Sequence, residues 1–260
     1  MYGVAWFGIL GPLEVTAVGR LIRIAGRSQR ELLAVLLLRA NQLVSIDLLI
    51  ETGWPDTPPA SARRQVQNAV GRLRNTLTNG GLPGDLIETR PGGYLLGAMA
   101  DELDTLTFNR HVEESRQASA RQQWDKAVAR LRAAPALWRG QPLPDLDNHL
   151  VVAEARRLQE RRVEVLEECL DLELRLGRHH QVVGELTALA EEHPLRERVC
   201  ALLMLALYRN GRTAGRSADP GGGGRLPHPG RAGPVRTRGS RHRLPAGAVR
   251  HRRPQPRADV

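Results

Sequence analysis

Residues 61–77, SARRQVQNAVGRLRNTL, set the strongest constraint on what this chain can fold into. Val66, Val70, Leu73 and Leu77 recur at helical spacing, so at about 100° per residue they form one narrow apolar stripe. A helix with so thin a stripe meets a core along one edge and turns the rest of its circumference toward something polar. Opposite the stripe lie Arg64, Gln67, Asn68, Gly71, Arg72 and Asn75, with Arg63 and Arg74 on a shoulder. No carboxylate interrupts this face. Guanidinium and amide groups are the ones that pair bidentately with guanine and adenine edges or reach phosphates as cations. Gly71 costs up to about 1 kcal/mol relative to alanine inside a helix, which is explained if something must approach closely there. Taken alone, the segment is equally an amphipathic surface helix with a solvated basic face.

The flanking segments shift that balance. Residues 6–15 (WFGILGPLEV) and 21–24 read as two strands interrupted by Gly and Pro. Residues 29–38 (QRELLAVLLL) form a helix apolar on most sides, residues 41–45 break it, and residues 46–51 start a shorter helix with Ser45 as its cap. Trp54-Pro55-Asp56-Thr57-Pro58-Pro59 is a stiff loop, because its prolines fix φ and push the preceding residues toward extended backbone. Ser61 is placed to cap the basic helix. After that helix, residues 86–90 and 94–96 read as short strands about the turn Pro91-Gly92-Gly93. Strand, strand, helix, helix, basic helix, hairpin is the order of a winged helix-turn-helix. With Arg90 near the hairpin tip, the order favours DNA binding over a merely solvated face.

Residues 104–212 are continuously helical in pattern, with helices over 104–121, 123–138, 150–176, 179–192 and 196–209. Gly177-Arg178 and Gly211-Arg212 close similar leucine-rich helices 34 residues apart, the tetratricopeptide period. Such repeats bury their apolar faces only against stacked neighbours, so another helix should follow Arg212. Residues 213–260 instead hold 9 Gly, 7 Pro and 11 Arg, a composition expected to stay disordered. The expected division is therefore a winged-helix DNA-binding domain at 1–97, a truncated tetratricopeptide-like domain at 98–212 and a tail at 213–260. The fold class is α+β followed by all-α.

The net charge of +10 points to nucleic acid until it is located. Residues 1–97 carry 10 Arg against 7 acids, a net +3; residues 98–212 carry 17 Lys+Arg against 19 acids, a net −2. Residues 213–260 carry 11 Arg against 2 acids, a net +9, so the extreme basicity belongs to the tail. Two cysteines, Cys169 and Cys200, in helical patterns suggest a reduced intracellular protein without a disulfide framework. With no leader-like segment and no long apolar run, a cytoplasmic, nucleoid-associated location is expected and a membrane partner is not.

FGILGPLEV, QRELLAVLLL, the WPDTPP loop, the VGRLR run and IETRPGGYLL together resemble the OmpR-type winged helix of the SARP family (Streptomyces antibiotic regulatory proteins). FNRHVEESR, ALWRGQPLPDL, LELRLGRH, ELTALAEEHPLRER and LLMLALYRNGR resemble that family's bacterial transcriptional activator domain. The resemblance spans about residues 6–212 and rests on the order and spacing of these pieces. It implies a transcriptional activator that binds direct repeats in duplex DNA near promoters, often in biosynthetic gene clusters, and recruits RNA polymerase. Arg64, Gln67, Asn68 and Arg72 would then face the major groove, while Arg63 and Arg74 hold phosphates. Thr89, Arg90 and Gly92 of the hairpin would approach the minor groove or adjacent backbone, with Tyr94 packing the hairpin down. The resemblance also places polymerase contact on the loop, at Trp54, Asp56 and Thr57, and direct repeats imply head-to-tail neighbours on DNA. One departure is Gly53, where the family usually has a large apolar residue; a core cavity there would cost on the order of 2–5 kcal/mol.

No nucleophile elbow, Walker loop or His/Cys/Asp constellation is present, so an enzyme is not expected. His179 and His180, with Glu185 and Glu192, could be imagined as metal ligands. Adjacent histidines leave a helix on different faces, however, and no cofactor is expected. Two other readings stay open: a protein-interaction scaffold built on the helical repeats, and an inactive allele whose reading frame shifts near residue 213.

Overall fold

Two small antiparallel sheets bracket the helices that carry the basic face. The computed structural model describes residues 5–54 and 56–217, which fall within one compact unit. The expectations for residues 218–260, including the disordered tail, lie outside the described residues.

The first sheet has order β1-β2-β3, from β1 (Ala5–Gly8), β2 (Glu14–Ala17) and β3 (Arg20–Leu21). Residues 6–15, expected as one strand, are two: the chain turns at Gly11-Pro12, and Phe7 pairs with Val15 across the hairpin. A proline cannot continue a ladder, so the apolar run splits there. Helix α1 (Arg27–Leu38) follows, buried continuously from Leu32 to Leu37. The expected break at 41–45 contains a strand, β4 (Leu43–Ser45), whose partner lies some fifty residues downstream and leaves no local signal. Helix α2 (Ile46–Gly53) is capped as expected, with the Leu48 N–H donating to Ser45 Oγ at 3.1 Å. Helix α3 (Ala62–Asn79) starts after Ser61, but that hydroxyl makes no cap bond and accepts from Gln65 Nε2 at 3.1 Å instead.

Strands β5 (Ile87–Arg90) and β6 (Gly93–Leu96) form the expected hairpin, in a sheet of order β4-β6-β5. Gly92 takes φ 84 at the turn. Gly93 is required for a different reason: a Cβ there would lie 2.0 Å from the Val44 carbonyl oxygen, so only glycine lets β6 lie against β4.

Five helices follow: α4 (Asp104–Ala120), α5 (Trp124–Ala133), α6 (His149–Arg175), α7 (His179–Glu192) and α8 (Glu197–Ser217). Gly177, at φ 80, ends α6 as expected. Gly211 does not end α8, which continues to Ser217, so the expected boundary at 212/213 falls inside a helix. Thr213 and Ala214 carry no helix breaker, and the first proline beyond is Pro220. Val199, Leu202 and Ala206 bury one side of α8 against α6 and α7, while Met204, Leu207 and Tyr208 are exposed on the other.

The expected boundary at 97/98 is not a boundary of packing. Leu103, Leu143, Leu146 and Val151 belong to the winged-helix core, whereas Leu10, from the β1–β2 turn, sits among Phe108, Val128, Leu131 and Val165 of the helical part. The reason is a buried latch. Asp104, in the first turn of α4, accepts from the Ile9 and Leu10 N–H groups, both at 2.8 Å through Oδ2. Arg139 donates its backbone N–H to Leu10 O at 2.8 Å and its Nη1 to Glu14 Oε2 at 2.7 Å. Its guanidinium also lies over the Trp6 ring, 5.0 Å from the centroid. A Cβ on Gly8 would stand 2.0 Å from Arg139 Nη2, so the glycine makes room for the arginine. On another face, Asn148 donates to Thr52 O at 2.5 Å and caps α6 through its own Oδ1. Arg27, Arg30 and Arg39, all from α1 or its C-terminal end, pair with Asp147, Asp145 and Glu154.

Removing the Asp104 carboxylate leaves two buried N–H groups without an acceptor, so Asp104→Ala should destabilise the chain by on the order of 3 kcal/mol. Burial pushes this carboxyl above its ordinary value of 3.8, against the opposing pull of the Leu10 and Ile9 amides and of Arg139. The folded chain thus holds the proton more tightly than the unfolded one. That contribution is full below 3.8 and fades as pH rises through the folded-state value. Asp104→Asn cannot titrate. Its stability deficit relative to the wild type, from urea unfolding, should shrink as pH rises above 3.8; a growing deficit would contradict the assignment.

Candidate nucleic-acid interface

Helix α3 buries Ala62, Val66, Ala69, Val70, Leu73 and Leu77, which widens the expected four-residue stripe by two alanines. Around the rest of its circumference Arg63, Arg64, Gln67, Asn68, Arg72 and Asn75 are exposed, and Gly71 is half-buried. The chain pairs many of its other arginines with carboxylates, as at Arg130–Glu114, Arg157–Glu154 and Arg175–Asp171. Thr76 Oγ1 donates to the Arg72 backbone carbonyl at 3.0 Å, but no ion pair or hydrogen bond among the described residues engages the guanidiniums of Arg63, Arg64 and Arg72 or the side-chain amides of Gln67, Asn68 and Asn75. Exposed donors with no internal acceptor are available to an external one. Phosphates and base edges are acceptors of the matching kind.

Arg74 departs from the expected role of phosphate holder. It is half-buried and turned to the hairpin: Nε and Nη2 donate to Ile87 O at 2.9 and 2.6 Å, and Nη2 donates to Thr89 Oγ1 at 2.8 Å. Its guanidinium carbon also lies 5.7 Å from the centroid of the buried Tyr94 ring. The cause is position on the helix. Arg74 shares its angular sector with the exposed Arg63 and Gln67, but it stands about two to three turns further along α3, where β5 lies beside the helix.

At the hairpin, Thr89, Arg90 and Gly92 are exposed near the tip as expected. Arg90 is paired with Glu88 of the same strand, a contact the helix-and-hairpin pattern did not bring out. Residues two apart on a strand share a face, so the alternation already contained it. The loop residues separate into two kinds. Asp56 and Thr57 are exposed, whereas Trp54 is partly buried against the winged-helix core. Its N–H closes α2 by donating to Ile50 O at 2.8 Å.

The missing side chain at Gly53 leaves no buried cavity. Gly53 is exposed, and a Cβ there would meet nothing within 4 Å. It lines an open cleft of about 320 Å³ between α1, α2 and α3, floored by Leu32, Leu49 and Val66 and edged by Glu31, Gln65 and Arg72. Among the groups considered as metal ligands, Glu185 is already paired with Arg132. Burial pushes the Cys169 thiol up to about 12, so it stays protonated in the helical core. No described helix is long and apolar enough to cross a membrane.

Residues 24–96 match the family model for the C-terminal domain of transcriptional regulatory proteins, and residues 103–215 match the bacterial transcriptional activator domain. The chain is 36% identical to the regulatory protein DnrI of Streptomyces peucetius, over 79% of this chain and 78% of that one. It is 38% identical to the regulatory protein AfsR of Streptomyces coelicolor over 82% of this chain, which spans only 21% of that much longer protein. Among solved structures it resembles Mycobacterium tuberculosis EmbR, determined in complex with a low-affinity phosphopeptide. The TM-score is 0.76 at 32% identity, covering 82% of this chain and 57% of that one.

Gly71 separates a structural from a recognition role. Beyond its chain neighbours and the adjoining backbone of α3, nothing lies within 4 Å of the place a methyl group would take there, so Gly71→Ala should stabilise the unbound protein, by up to about 1 kcal/mol. If DNA comes close at this point, the same change should weaken binding in a gel shift while raising the melting temperature. Unchanged affinity would place the closest approach elsewhere on α3.

Proposed function

Because the chain belongs to the SARP family, DNA-binding transcriptional regulators that join an OmpR-type winged helix to a bacterial transcriptional activator domain, we propose that it activates promoters by binding direct repeats through α3 and the hairpin. The observation that carries this reading is the unengaged row Arg63, Arg64, Gln67, Asn68 and Arg72, in a chain that neutralises many of its other arginines. In this reading Arg64, Gln67, Asn68 and Arg72 face the major groove and Arg63 holds a phosphate. Thr89, Arg90 and Gly92 meet the flanking minor groove or backbone, and Tyr94 seats the hairpin on the domain.

Copies arranged head to tail on repeated sites would present their loops in the same direction along the DNA. Asp56 and Thr57, exposed before α3 and outside its recognition face, are the residues proposed to meet RNA polymerase. Trp54 holds that loop to the core rather than meeting a partner with its whole ring. The genes proposed to be controlled are those of a biosynthetic cluster. A second reading, a scaffold built on the helical repeats, draws on the exposed Met204, Leu207 and Tyr208 of α8.

Footprinting the full chain on the DNA upstream of its own gene should give two protected sites in the same orientation, weakening as salt rises because phosphate contacts release counterions. Absence of any salt-sensitive binding would favour the scaffold. Arg64→Ala or Arg72→Ala should weaken the specific site by roughly 1–3 kcal/mol while changing affinity for random duplex little, if each reads a base. Equal losses on both would reduce that residue to a phosphate contact.

The loop calls for a different pair of measurements. Asp56→Ala or Thr57→Ala should leave the gel shift close to wild type and lower transcription in a purified system. Joint loss of both would mean that the loop supports the fold of α3.

A further inference from the structure

We infer that Arg74 is a positioning residue that sets the hairpin at a fixed offset from α3 and acts on DNA through Thr89. The inference rests on the DNA-binding reading of α3 and the hairpin.

Strand β5 is the edge of its sheet, and an edge strand presents backbone carbonyls that no neighbouring strand satisfies. Arg74 engages the Ile87 carbonyl with two nitrogens and the Thr89 hydroxyl with one. The planar fork fixes both angle and distance between helix and strand, whereas an ammonium would act as a point charge on a flexible stem. Its position over Tyr94, which pairs with Thr89 across the hairpin, ties it to the second strand as well.

A hydroxyl that accepts from a guanidinium still has its own hydrogen to donate. Thr89 is exposed, so the arginine orients that hydrogen outward, where a phosphate oxygen would receive it. The charge of Arg74 is thereby used inside the protein, and its effect reaches DNA as geometry.

The test uses the full chain on its footprinted site, with Arg74→Lys, Thr89→Val, Arg90→Ala, and Arg74→Lys combined with each of the other two. Arg74→Lys keeps the charge and removes the fork. It should weaken binding roughly tenfold, as expected for lost charge-assisted hydrogen bonds. It should also abolish protection of the flanking minor groove while major-groove protection under α3 persists. Arg90→Ala should give a similar loss, and the combined variants should bind no worse than the weaker single variant, because each removes the same seated hairpin. Thr89→Val removes the hydroxyl that Arg74 orients and should weaken binding by itself, which keeps the test open if Arg74→Lys misfolds; wild-type affinity for Thr89→Val would overturn the inference.

Wild-type affinity for Arg74→Lys, or losses that multiply in the combined variants, would overturn the inference, since an independent phosphate contact behaves that way. If Arg72→Ala and Arg90→Ala both left binding intact, the DNA-binding reading itself would fail and carry this inference with it.

Discussion

Two backbone N–H groups, those of Ile9 and Leu10, have no strand partner at the turn between β1 and β2, and the Asp104 carboxylate takes both. Much of the architecture follows from that arrangement. The acceptor lies in the first turn of α4, where the helix dipole favours negative charge, so the acid is held by the helix it begins. Leu10 is thereby carried into the core of the helical part, and α4 is set against the first sheet. Arg139 then closes the same turn from the far side, stacking on Trp6 and reaching Glu14. Two recognisable domains become one packed body at the level of individual side chains.

The sequence carried the local part of this structure well. Stripes at helical spacing located α1 to α8, the Ser45 cap was readable from its position before Ile46, and Pro91-Gly92 marked the hairpin turn. What could not be read depended on partners far along the chain. Strand β4 exists because β6 lies beside it, the demand for glycine at position 93 comes from the Val44 carbonyl, and Asp104 is an ordinary helix-start acid until Ile9 and Leu10 are placed against it. The end of α8 differs for another reason. The repeat period suggests a stop at Gly211, and α8 runs past it to Ser217 although Gly211 and Gly215 are weak helix formers.

The exposed polar face of α3 was legible for the same reason as the fold: one helix, one period, one polar side. Its limits were not. A wheel counts angles but not neighbours, so it leaves Arg74 on a shoulder where the hairpin in fact receives it, and it gives no account of Glu88 beside Arg90. Gly53 illustrates the converse error. A residue that breaks a family pattern invites the expectation of a buried void, yet its position at the exposed end of α2 turns the missing side chain into an open cleft beside α3.

The pairing of Arg27, Arg30 and Arg39 with Asp147, Asp145 and Glu154 has an electrostatic meaning beyond cohesion. Without the helical part, the winged helix would carry positive charge on two separate elements, α1 and α3, and a polyanion would have two competing orientations in which to settle. The acids of residues 145–154 cancel the first. Among the described residues, α3 keeps guanidiniums and amides that no carboxylate engages. A polyanion would be steered toward that face over roughly a Debye length. The segment that follows the winged helix therefore masks the basic charge of α1 as well as supporting the fold.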